Sequence, residues 1–279
     1  MNDQLSDATH ISFIGCGVMA ESMIAGLLRN KILGPNMIGA SHPRKDRRSE
    51  LTERHGISVF SDNPAAAEFG AGSSIIVVCV KPQRIRAVLK ELAGKVRPEQ
   101  MVISIVAGTT METISDALGT RLVVRAMPNT PSQIGAGMTA WTCTDDVSES
   151  QREQVRRLLS ALGKELFVET ENMIDMATSL SATGPTYTFM VMEAMTDAGV
   201  HLGFSREIAK ELVQQTMLGS VLFAMESHKH PAELRNMVTS PGGTSAEAIY
   251  QMEKGALRTV LSKAIYGAYK KAVELGKRK

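Results

Sequence analysis

Short apolar, β-branched runs alternate with amphipathic helical segments over about the first 170 residues of the chain. The runs predicted as strands cover residues 11–14, 37–40, 57–60, 75–80, 102–106 and 122–126. The helices predicted between them cover residues 18–30, 47–55 and 83–93, the last opened by Pro82, and a short helix is capped by Asn63. Continuous apolar strands alternating with helices indicate a parallel sheet covered on both faces. We therefore predict an α/β fold with a Rossmann-type, doubly wound domain over residues 1–170.

The pattern changes beyond about residue 170, where strand-like runs disappear and long helical periodicities follow one another. The predicted helices cover residues 185–202, 206–225, 231–237, 246–254 and 256–275. Their apolar stripes carry more surface than a small bundle could bury on its own. We therefore predict an all-helical substrate-binding and dimerisation domain over residues 171–279, in a homodimer or a larger homo-oligomer.

The composition is that of a globular protein: of 279 residues, 43% are hydrophobic and 22% are charged. A formal net charge of +2 gives no indication of a nucleic-acid partner. The three cysteines are far apart and odd in number, so they indicate neither a disulfide framework nor a metal site. The polar N-terminus and the shortness of the apolar runs predict no secretion signal and no membrane span, and hence a cytoplasmic protein.

A glycine-rich turn follows the first predicted strand and opens the first predicted helix. Its sequence, Gly15-Cys16-Gly17-Val18-Met19-Ala20, fits the dinucleotide-binding pattern. The first glycine permits a tight turn, the second lets the backbone approach a pyrophosphate, and the small Ala20 allows close helix packing. A turn without function would look similar in isolation, but its place at the first strand–helix junction favours a dinucleotide site.

The end of the second predicted strand indicates which dinucleotide binds. A protein selective for NAD would place Asp or Glu there to bind the ribose 2′-hydroxyl. Instead Ser41 precedes the cations Arg44 and Lys45, and the first carboxylate is Asp46. A hydroxyl and two cations suit a 2′-phosphate, although a solvated basic loop is the alternative interpretation. We expect NADPH to be preferred, with NADH as the weaker cofactor.

The helical half offers no obvious general acid or base. No lysine lies between Lys164 and Lys210, and His201, His228 and His230 are expected at the surface. The last two histidines lack a third ligand, so no metal is predicted. A hydroxy-acid dehydrogenase, which needs such a group to move the hydroxyl proton, is therefore disfavoured.

Neutral polar turns, rather than charged groups, remain as candidates for the substrate site. They cover residues 127–131, 181–185 and 240–245. Backbone N–H groups at a Gly-Gly turn that runs into a helix can bind a carboxylate without a charged side chain. Hydride addition to a protonated C=N bond needs little further proton transfer. The sequence therefore favours the reduction of an imine that carries a carboxylate.

These motifs together resemble the pyrroline-5-carboxylate reductase family, and the resemblance runs nearly from end to end. It is carried, in order, by residues 14–20 (IGCGVMA), 80–83 (VKPQ), 104–108 (SIVAG), 125–131 (RAMPNTP), 181–187 (SATGPTY), 197–200 (DAGV) and 239–245 (TSPGGTS). The resemblance implies a Rossmann domain followed by a helical domain that interlocks with its twin. It also implies reduction of L-1-pyrroline-5-carboxylate to L-proline by NAD(P)H, the final step of proline biosynthesis.

The resemblance implies a role for each residue at a matching position. The residues expected to bind the cofactor are Gly15, Gly17, Val18, Met19, Ala20, Ser41, Arg44, Lys45, Asn63, Val80, Lys81, Pro82, Ala107, Gly108, Met127 and Asn129. The residues expected to bind the substrate are Val238, Ser240, Gly242, Gly243, Thr244 and Ser245. Among them Ser245 is the expected catalytic residue, because its hydroxyl would meet the ring nitrogen.

Three positions depart from the family pattern. Ser245 replaces a threonine, Ala182 a glycine, and Asn236 an acidic residue. Ser245 keeps the hydroxyl but lacks the methyl group that restricts a threonine rotamer. We expect looser orientation of the substrate rather than a different reaction.

Three other functions are weighed against this one. The β-hydroxyacid dehydrogenases share the glycine turn and the helical half, but they need a catalytic lysine on the helix predicted over residues 185–202, which has none. An imine reductase of broader specificity stays open, because a carboxylate-binding turn does not fix ring size. A dinucleotide-sensing module would use the first domain alone and leave the polar turns of the second half without a role.

Overall fold

The computed structural model describes residues 9–70 and 73–277, and for Ser73 and Ser74 the backbone alone. Eight strands within the described residues form one sheet: β1 (Thr9–Ile14), β2 (Ile38–Ser41), β3 (Ser58–Phe60), β4 (Ser73–Val78), β5 (Met101–Ser104), β6 (Val123–Met127), β7 (Gly137–Cys143) and β8 (Gly163–Phe167). Their order across the sheet is β3-β2-β1-β4-β5-β6-β7-β8. The order of the strands along the chain reverses between β1 and β4, which are parallel, and doubly wound sheets bind their ligands at such a switch point.

The helices of the first part of the chain cover the two faces of this sheet. They are α1 (Val18–Arg29), α2 (Lys45–His55), α3 (Asn63–Ala67), α4 (Ile85–Leu92), α5 (Met111–Leu118), α6 (Glu149–Ser160) and α7 (Glu171–Ala177). The helices that follow are α8 (Gly184–His201), α9 (Arg206–Ser227), α10 (Pro231–Met237), α11 (Thr244–Lys254) and α12 (Leu257–Lys277).

The continuous apolar run in β4 is explained by burial on both faces of the sheet. Ile75 and Val77 belong to one buried cluster, together with Phe13 of β1. Ile76 and Val78 belong to a second cluster on the other side. Successive strand residues point to opposite faces, so a strand covered on both sides has no position for a polar side chain. The α/β fold class with a doubly wound sheet is confirmed.

Two strands at one edge of the sheet, β7 and β8, were not predicted, and both run in the opposite direction to the other six. β7 pairs with β6 antiparallel, and β8 then pairs with β7 in parallel. Only a short 3-10 turn (Thr130–Ile134) separates β6 from β7, and such a short connection cannot carry the crossover that a parallel pair needs. Helices α5, α6 and α7 were not predicted either.

Several predicted boundaries were wrong by one turn or a few residues. Asn63 was predicted to cap α3, but the N-cap is Asp62, whose carboxylate accepts the N–H of Ala65 at 2.9 Å. Strands β4 and β5 end two residues before their predicted ends, where the chain turns towards the helices. Pro82 opens a 3-10 turn (Pro82–Arg84), and α4 begins only at Ile85.

The predicted turn over residues 181–185 is in fact part of a helical run. Residues Thr178–Ala182 form a π-helix between α7 and α8. The N–H and the hydroxyl of Thr183 both donate to the carbonyl of Thr178, at 2.9 and 2.8 Å. These hydrogen bonds keep the segment helical where a run of small polar residues would normally form a turn. Segments of π-helix are frequent at functional sites.

Contacts divide the chain into two compact units. The first, called here the sheet unit, comprises residues 1–183 and 268–279, and the second, the helical unit, comprises residues 184–267. The last part of α12 therefore belongs to the sheet unit. The functional boundary proposed from the sequence, between residues 170 and 171, stays a prediction.

The helical unit leaves most of its apolar side chains exposed. Among its described residues only Ala209 and Val213 are buried hydrophobic positions. On α9, Leu218, Leu222 and Met225 are each about half exposed and lie on one stripe. A surface of this kind needs a partner to cover it. None of the helices within the described residues is both long enough and apolar enough to cross a bilayer.

Candidate active site

The turn between β1 and α1 is built for the close approach of a ligand. Gly15 has a φ of 85°, a left-handed conformation that favours glycine, and a Cβ there would overlap Cγ1 of Val80. A Cβ on Gly17 would meet no atom within 4 Å, so the backbone is open at this position. Because α1 begins at Val18 without a side-chain cap, its first N–H groups can receive an anion.

Ser41 holds this turn from the adjacent strand. Its side chain is buried, and its hydroxyl accepts the N–H of Gly15 at 3.0 Å while donating to Oδ1 of Asn63 at 2.7 Å. Asn63 in turn donates to Glu91 at 2.6 Å. The chain of hydrogen bonds fixes the glycine turn against β2 and α4. The structure thus brings together Gly15, Ser41, Asn63 and Val80, four of the residues expected at the cofactor.

The basic loop after β2 presents its cations to solvent. Arg44 and Lys45 are exposed, and the Arg44 N–H donates to Nδ1 of His42 at 3.2 Å. Burial lowers the pKa of His42, which keeps that nitrogen available as an acceptor at neutral pH. The guanidinium of Arg48 donates to the carbonyls of His42 and Pro43, at 3.0 and 2.7 Å. The loop is therefore fixed while the Arg44 and Lys45 side chains stay accessible.

Two further arginines near this loop are neutralised by carboxylates. Arg47 pairs with Glu21 and, at 2.6 Å, with Glu50; Arg54 pairs with the same two groups at 2.7 and 2.6 Å. His55 also contacts Glu21 at 3.0 Å. Although burial opposes it, the hydrogen bonds of His55 and Arg47 lower the pKa of Glu21. These arginines join α1 to α2 and do not add charge to a phosphate site.

The other end of the expected cofactor site adjoins a cavity of about 530 Å³ in the sheet unit. Pro82, Ala107 and Gly108 line it, as do Leu275 and Gly276 from the end of α12. Gly108 has a φ of 75°, and a Cβ there would lie 2.7 Å from Cβ of Leu275. Leu275 and Gly276 were not predicted at this cavity, because no local sequence pattern places the end of a terminal helix beside this loop.

The two cysteines near the glycine turn lack the lowered pKa of a nucleophilic thiol. Burial raises the pKa of Cys16 to about 12, and burial also raises that of Cys79. A thiol of this kind stays protonated at neutral pH and is unreactive. In the described part of the chain, no cluster of three or more His, Cys, Asp or Glu side chains is arranged to hold a metal ion.

Met127 and Asn129 lie where β6 ends. Met127 is buried, and the Asn129 side chain is engaged at both ends. Its Oδ1 accepts the N–H of Met138 at 2.9 Å, and its Nδ2 donates to the carbonyl of Ser181 at 3.4 Å. The Asn129 amide therefore holds the π-helical segment against the edge of the sheet.

The uncharged turn of the helical unit ends in a helix N-terminus. Gly242 has a φ of 69°, and the Gly243 N–H donates to the carbonyl of Ser240 at 3.1 Å. A Cβ on Gly243 would lie 2.5 Å from Oγ of Ser240, so a side chain there would displace the Ser240 hydroxyl. Helix α11 begins at Thr244 without a side-chain cap, and Ser245 is half-buried in its first turn. Such a turn can receive a carboxylate through main-chain N–H groups.

The remaining predicted residues fall into the same two groups. In the sheet unit Met19 is half-buried, Ala20 is buried and Lys81 is exposed. In the helical unit Val238 is exposed immediately before the turn. The described residues thus form a dinucleotide-type site in one unit and an anion-type turn in the other.

Both parts of the chain match known protein families. Residues 171–275 match the family described as pyrroline-5-carboxylate reductase dimerisation, and residues 10–108 match the family described as NADP oxidoreductase, coenzyme F420-dependent. The chain is 41% identical to a pyrroline-5-carboxylate reductase of Pseudomonas aeruginosa, over 95% of this chain and 96% of that protein.

Solved structures give the same result. A pyrroline-5-carboxylate reductase from Coxiella burnetii is 35% identical, with a TM-score of 0.86 over 97% of this chain and all of that one. The pyrroline carboxylate reductase of Plasmodium falciparum, solved with NADP bound, is 28% identical, with a TM-score of 0.87 over 96% of this chain and 98% of that one. The chain belongs to the pyrroline-5-carboxylate reductase family.

Proposed function

We propose that this chain reduces L-1-pyrroline-5-carboxylate to L-proline with NADPH, as a homodimer or larger homo-oligomer in the cytoplasm. The observation that carries the proposal is the uncharged turn at Ser240–Gly243, which leads into the uncapped N-terminus of α11. It can bind a carboxylate but has no group that would serve as a general base. The names of the relatives and the family match support the same reaction.

The sheet unit fits a nicotinamide dinucleotide. The glycine turn leaves room that a Cβ would fill, and the N-terminus of α1 faces the same place. Gly15, Gly17 and the residues up to Ala20 would hold the pyrophosphate. Val80, Lys81 and Pro82, with Ala107 and Gly108, would line the cofactor further along, towards the nicotinamide, which Met127 and Asn129 would border.

The preference for NADPH is part of the proposal and is supported by the basic loop. Arg44 and Lys45 are exposed, and Arg44 has a weak 4.0 Å contact with the exposed Asp46, whereas Arg47 and Arg54 both pair closely with the less exposed Glu21. Replacing both Arg44 and Lys45 by Ala should lower the NADPH-to-NADH ratio of kcat/KM by about 10- to 100-fold, because charge-assisted bonds to the 2′-phosphate are lost. Arg54→Ala is the matched control and should leave the ratio unchanged. An unchanged ratio in the double variant would rule out NADPH selection by this loop.

The chemistry requires positioning rather than proton transfer by the protein. When bound, the reduced nicotinamide supplies a hydride to the carbon of the protonated C=N bond, whose π electrons become the amine lone pair. The main-chain N–H groups of Gly242 and Thr244 would bind the substrate carboxylate, since that of Gly243 donates to Ser240, and the Ser245 hydroxyl would orient the ring nitrogen. Preorganised donors of this kind lower the barrier because they need not reorganise during the reaction.

Ser245 tests this assignment. Ser245→Ala should lower kcat by about 10- to 1,000-fold, the range for loss of one positioned donor. Ser245→Thr, which keeps the hydroxyl and restricts its rotamer, should retain or improve activity. Oxidation of NADPH at saturating pyrroline-5-carboxylate measures both. Equal turnover by Ser245→Ala and the parent would remove Ser245 from the mechanism.

A pair of substrates separates this function from a broader imine reductase. 1-Pyrroline has the same ring and C=N bond but lacks the carboxylate. If the uncharged turn binds the carboxylate, kcat/KM for 1-pyrroline should be at least about 100-fold lower. Similar values for the two substrates would favour the broader reductase, and no NADPH oxidation with either would contradict imine reduction altogether.

A further inference from the structure

A buried arginine lies at the centre of a charge cluster that the reaction does not use. Arg125 of β6 is only 1% exposed, and its guanidinium contacts two carboxylates of α7. Nη1 donates to Glu171 at 3.1 Å, and Nη2 donates to Asp175 at 2.6 Å. Losing either carboxylate would leave the buried cation partly uncompensated, so both hold α7 on the sheet.

The two carboxylates differ in one contact. Oε1 of Glu171 also accepts the N–H of Met111, the first residue of α5, at 2.7 Å. No hydrogen bond from Asp175 to the α5 N-terminus is observed among the described residues. Because the first N–H groups of a helix have no partner within it, Glu171 acts as a cap supplied from another helix.

The capped helix continues directly from the loop expected to contact the nicotinamide. Ala107 and Gly108 lie four and three residues before Met111, respectively, and Gly108 is in the left-handed region. On its other side the loop packs against Gly276, whose Cβ position would lie 2.9 Å from the Gly108 carbonyl. The loop is therefore held between the end of α12 and the N-terminus of α5.

We propose that Glu171 is a positioning residue for the cofactor: by holding the Met111 N–H, it fixes the Ala107–Gly108 loop in the conformation that receives the nicotinamide. Glu171 is also the first residue of the segment that matches the dimerisation family. The segment that begins the dimerisation region is thereby joined to the cofactor loop through one carboxylate oxygen. This inference rests on the proposed function for the location of the nicotinamide, but not on the identity of the imine.

The test compares two variants that remove a partner of the same arginine. Glu171→Ala loses the Arg125 contact and the Met111 cap, whereas Asp175→Ala loses only an Arg125 contact. The affinity for NADPH, measured by fluorescence titration of the full chain without substrate, should fall about 3- to 10-fold in Glu171→Ala, the equivalent of one cap. It should stay within about twofold of the parent in Asp175→Ala. Melting temperatures should fall in both variants.

A second ligand separates positioning from general loosening. Adenosine 2′,5′-bisphosphate occupies only the adenosine end of the site, so its affinity should not change in Glu171→Ala. Glu171→Gln should bind NADPH like the parent, because an amide oxygen can accept both the Met111 and the Arg125 hydrogen bonds. If Glu171→Ala does not fold, Glu171→Asp serves instead, since it keeps the charge but is one methylene too short for Met111.

The outcomes that overturn the proposal are distinct. Unchanged NADPH affinity in Glu171→Ala would show that the cap does not matter to the loop. Equal losses in the Glu171 and Asp175 variants, or equal losses for NADPH and adenosine 2′,5′-bisphosphate, would show general destabilisation. Failure of the parent to oxidise NADPH with pyrroline-5-carboxylate would contradict the proposed reaction but would leave the binding comparison intact.

Discussion

The sheet unit and the helical unit bury their apolar side chains in different ways. The sheet unit buries Phe13, Ile76 and Trp141 completely, in cores made by its own strands and helices. The helical unit, with Leu222 and Phe223 about half exposed, has almost no core of its own. We infer that the sheet unit is stabilised within one chain, whereas the helical unit depends on association. We therefore expect the turn at Ser240–Ser245, which belongs to the helical unit, to be stable only when that unit is associated.

The largest expected effect comes from a charge on the exposed stripe of α9. Leu222→Asp should disrupt the oligomer and abolish activity, because an unpaired carboxylate buried in an apolar interface costs several kcal/mol. Leu166→Asp is the matched control, since Leu166 of β8 is 51% exposed and Leu222 is 49% exposed. Light scattering after size-exclusion chromatography measures the mass of both variants. An intact oligomer in Leu222→Asp would mean that this stripe is not the interface.

The next effect concerns the sheet unit and should not involve assembly. In Gly15→Ala the new methyl overlaps Val80, and both residues belong to the expected cofactor site. A displacement on this scale should weaken NADPH binding about 100-fold without changing the oligomeric mass. Gly94→Ala is the control: Gly94 also has a positive φ, of 73°, but nothing lies within 4 Å of its Cβ position.

The control variant should lose only about 1 kcal/mol of unfolding free energy, from backbone strain, and none of its cofactor affinity. Isothermal titration with NADPH gives both affinities. If Gly15→Ala and Gly94→Ala bound NADPH equally well, the close approach at Gly15 would have no bearing on the cofactor.

The central strands of the sheet were predictable from the sequence and the strands at one edge were not, for a physical reason. The doubly wound sheet was predicted because β1, β4 and β5 are buried on both faces, which leaves a continuous apolar signal. β8, with the sequence GKELF, alternates between half-buried and exposed positions and gives a much weaker signal. β7 was not predicted at all, and its antiparallel direction follows from the short turn that joins it to β6.

In the candidate site, too, local motifs were predictable and long-range contacts were not. The glycine turn and the Ser240–Ser245 turn are local motifs, so both could be recognised in the sequence alone. Together with the other motifs they also indicated the family, and the comparisons confirm that family. Arg125 contacts residues 46 and 50 positions further along the chain, and Glu171 reaches back 60 positions to Met111. Contacts over such distances leave no periodicity or spacing in the sequence. The roles of the individual site residues stay predictions.

The smallest effect tests whether the ion pairs between α1 and α2 stabilise the sheet unit by itself. The pKa of Glu21 lies below its ordinary value of 4.5 because contacts with His55 and Arg47 outweigh the effect of burial. A carboxylate whose pKa is lower in the folded state stabilises the protein above its unfolded pKa and loses that contribution as the pH falls. Glu21→Gln should therefore be less stable than the parent by about 1 kcal/mol at pH 7.

The difference in unfolding free energy between Glu21→Gln and the parent should shrink as the pH falls below about 4.5. The Glu21 carboxyl of the unfolded parent is then protonated first, and the stabilising contribution of the folded carboxylate is lost. Urea unfolding at pH 7 and pH 4, each at two protein concentrations, separates the two units. A loss confined to the sheet unit should not depend on concentration, whereas any transition that includes dissociation of the helical unit must. If the Glu21→Gln difference changed with concentration, the ion pairs would be coupled to assembly, and the sheet unit would not be stabilised within a single chain.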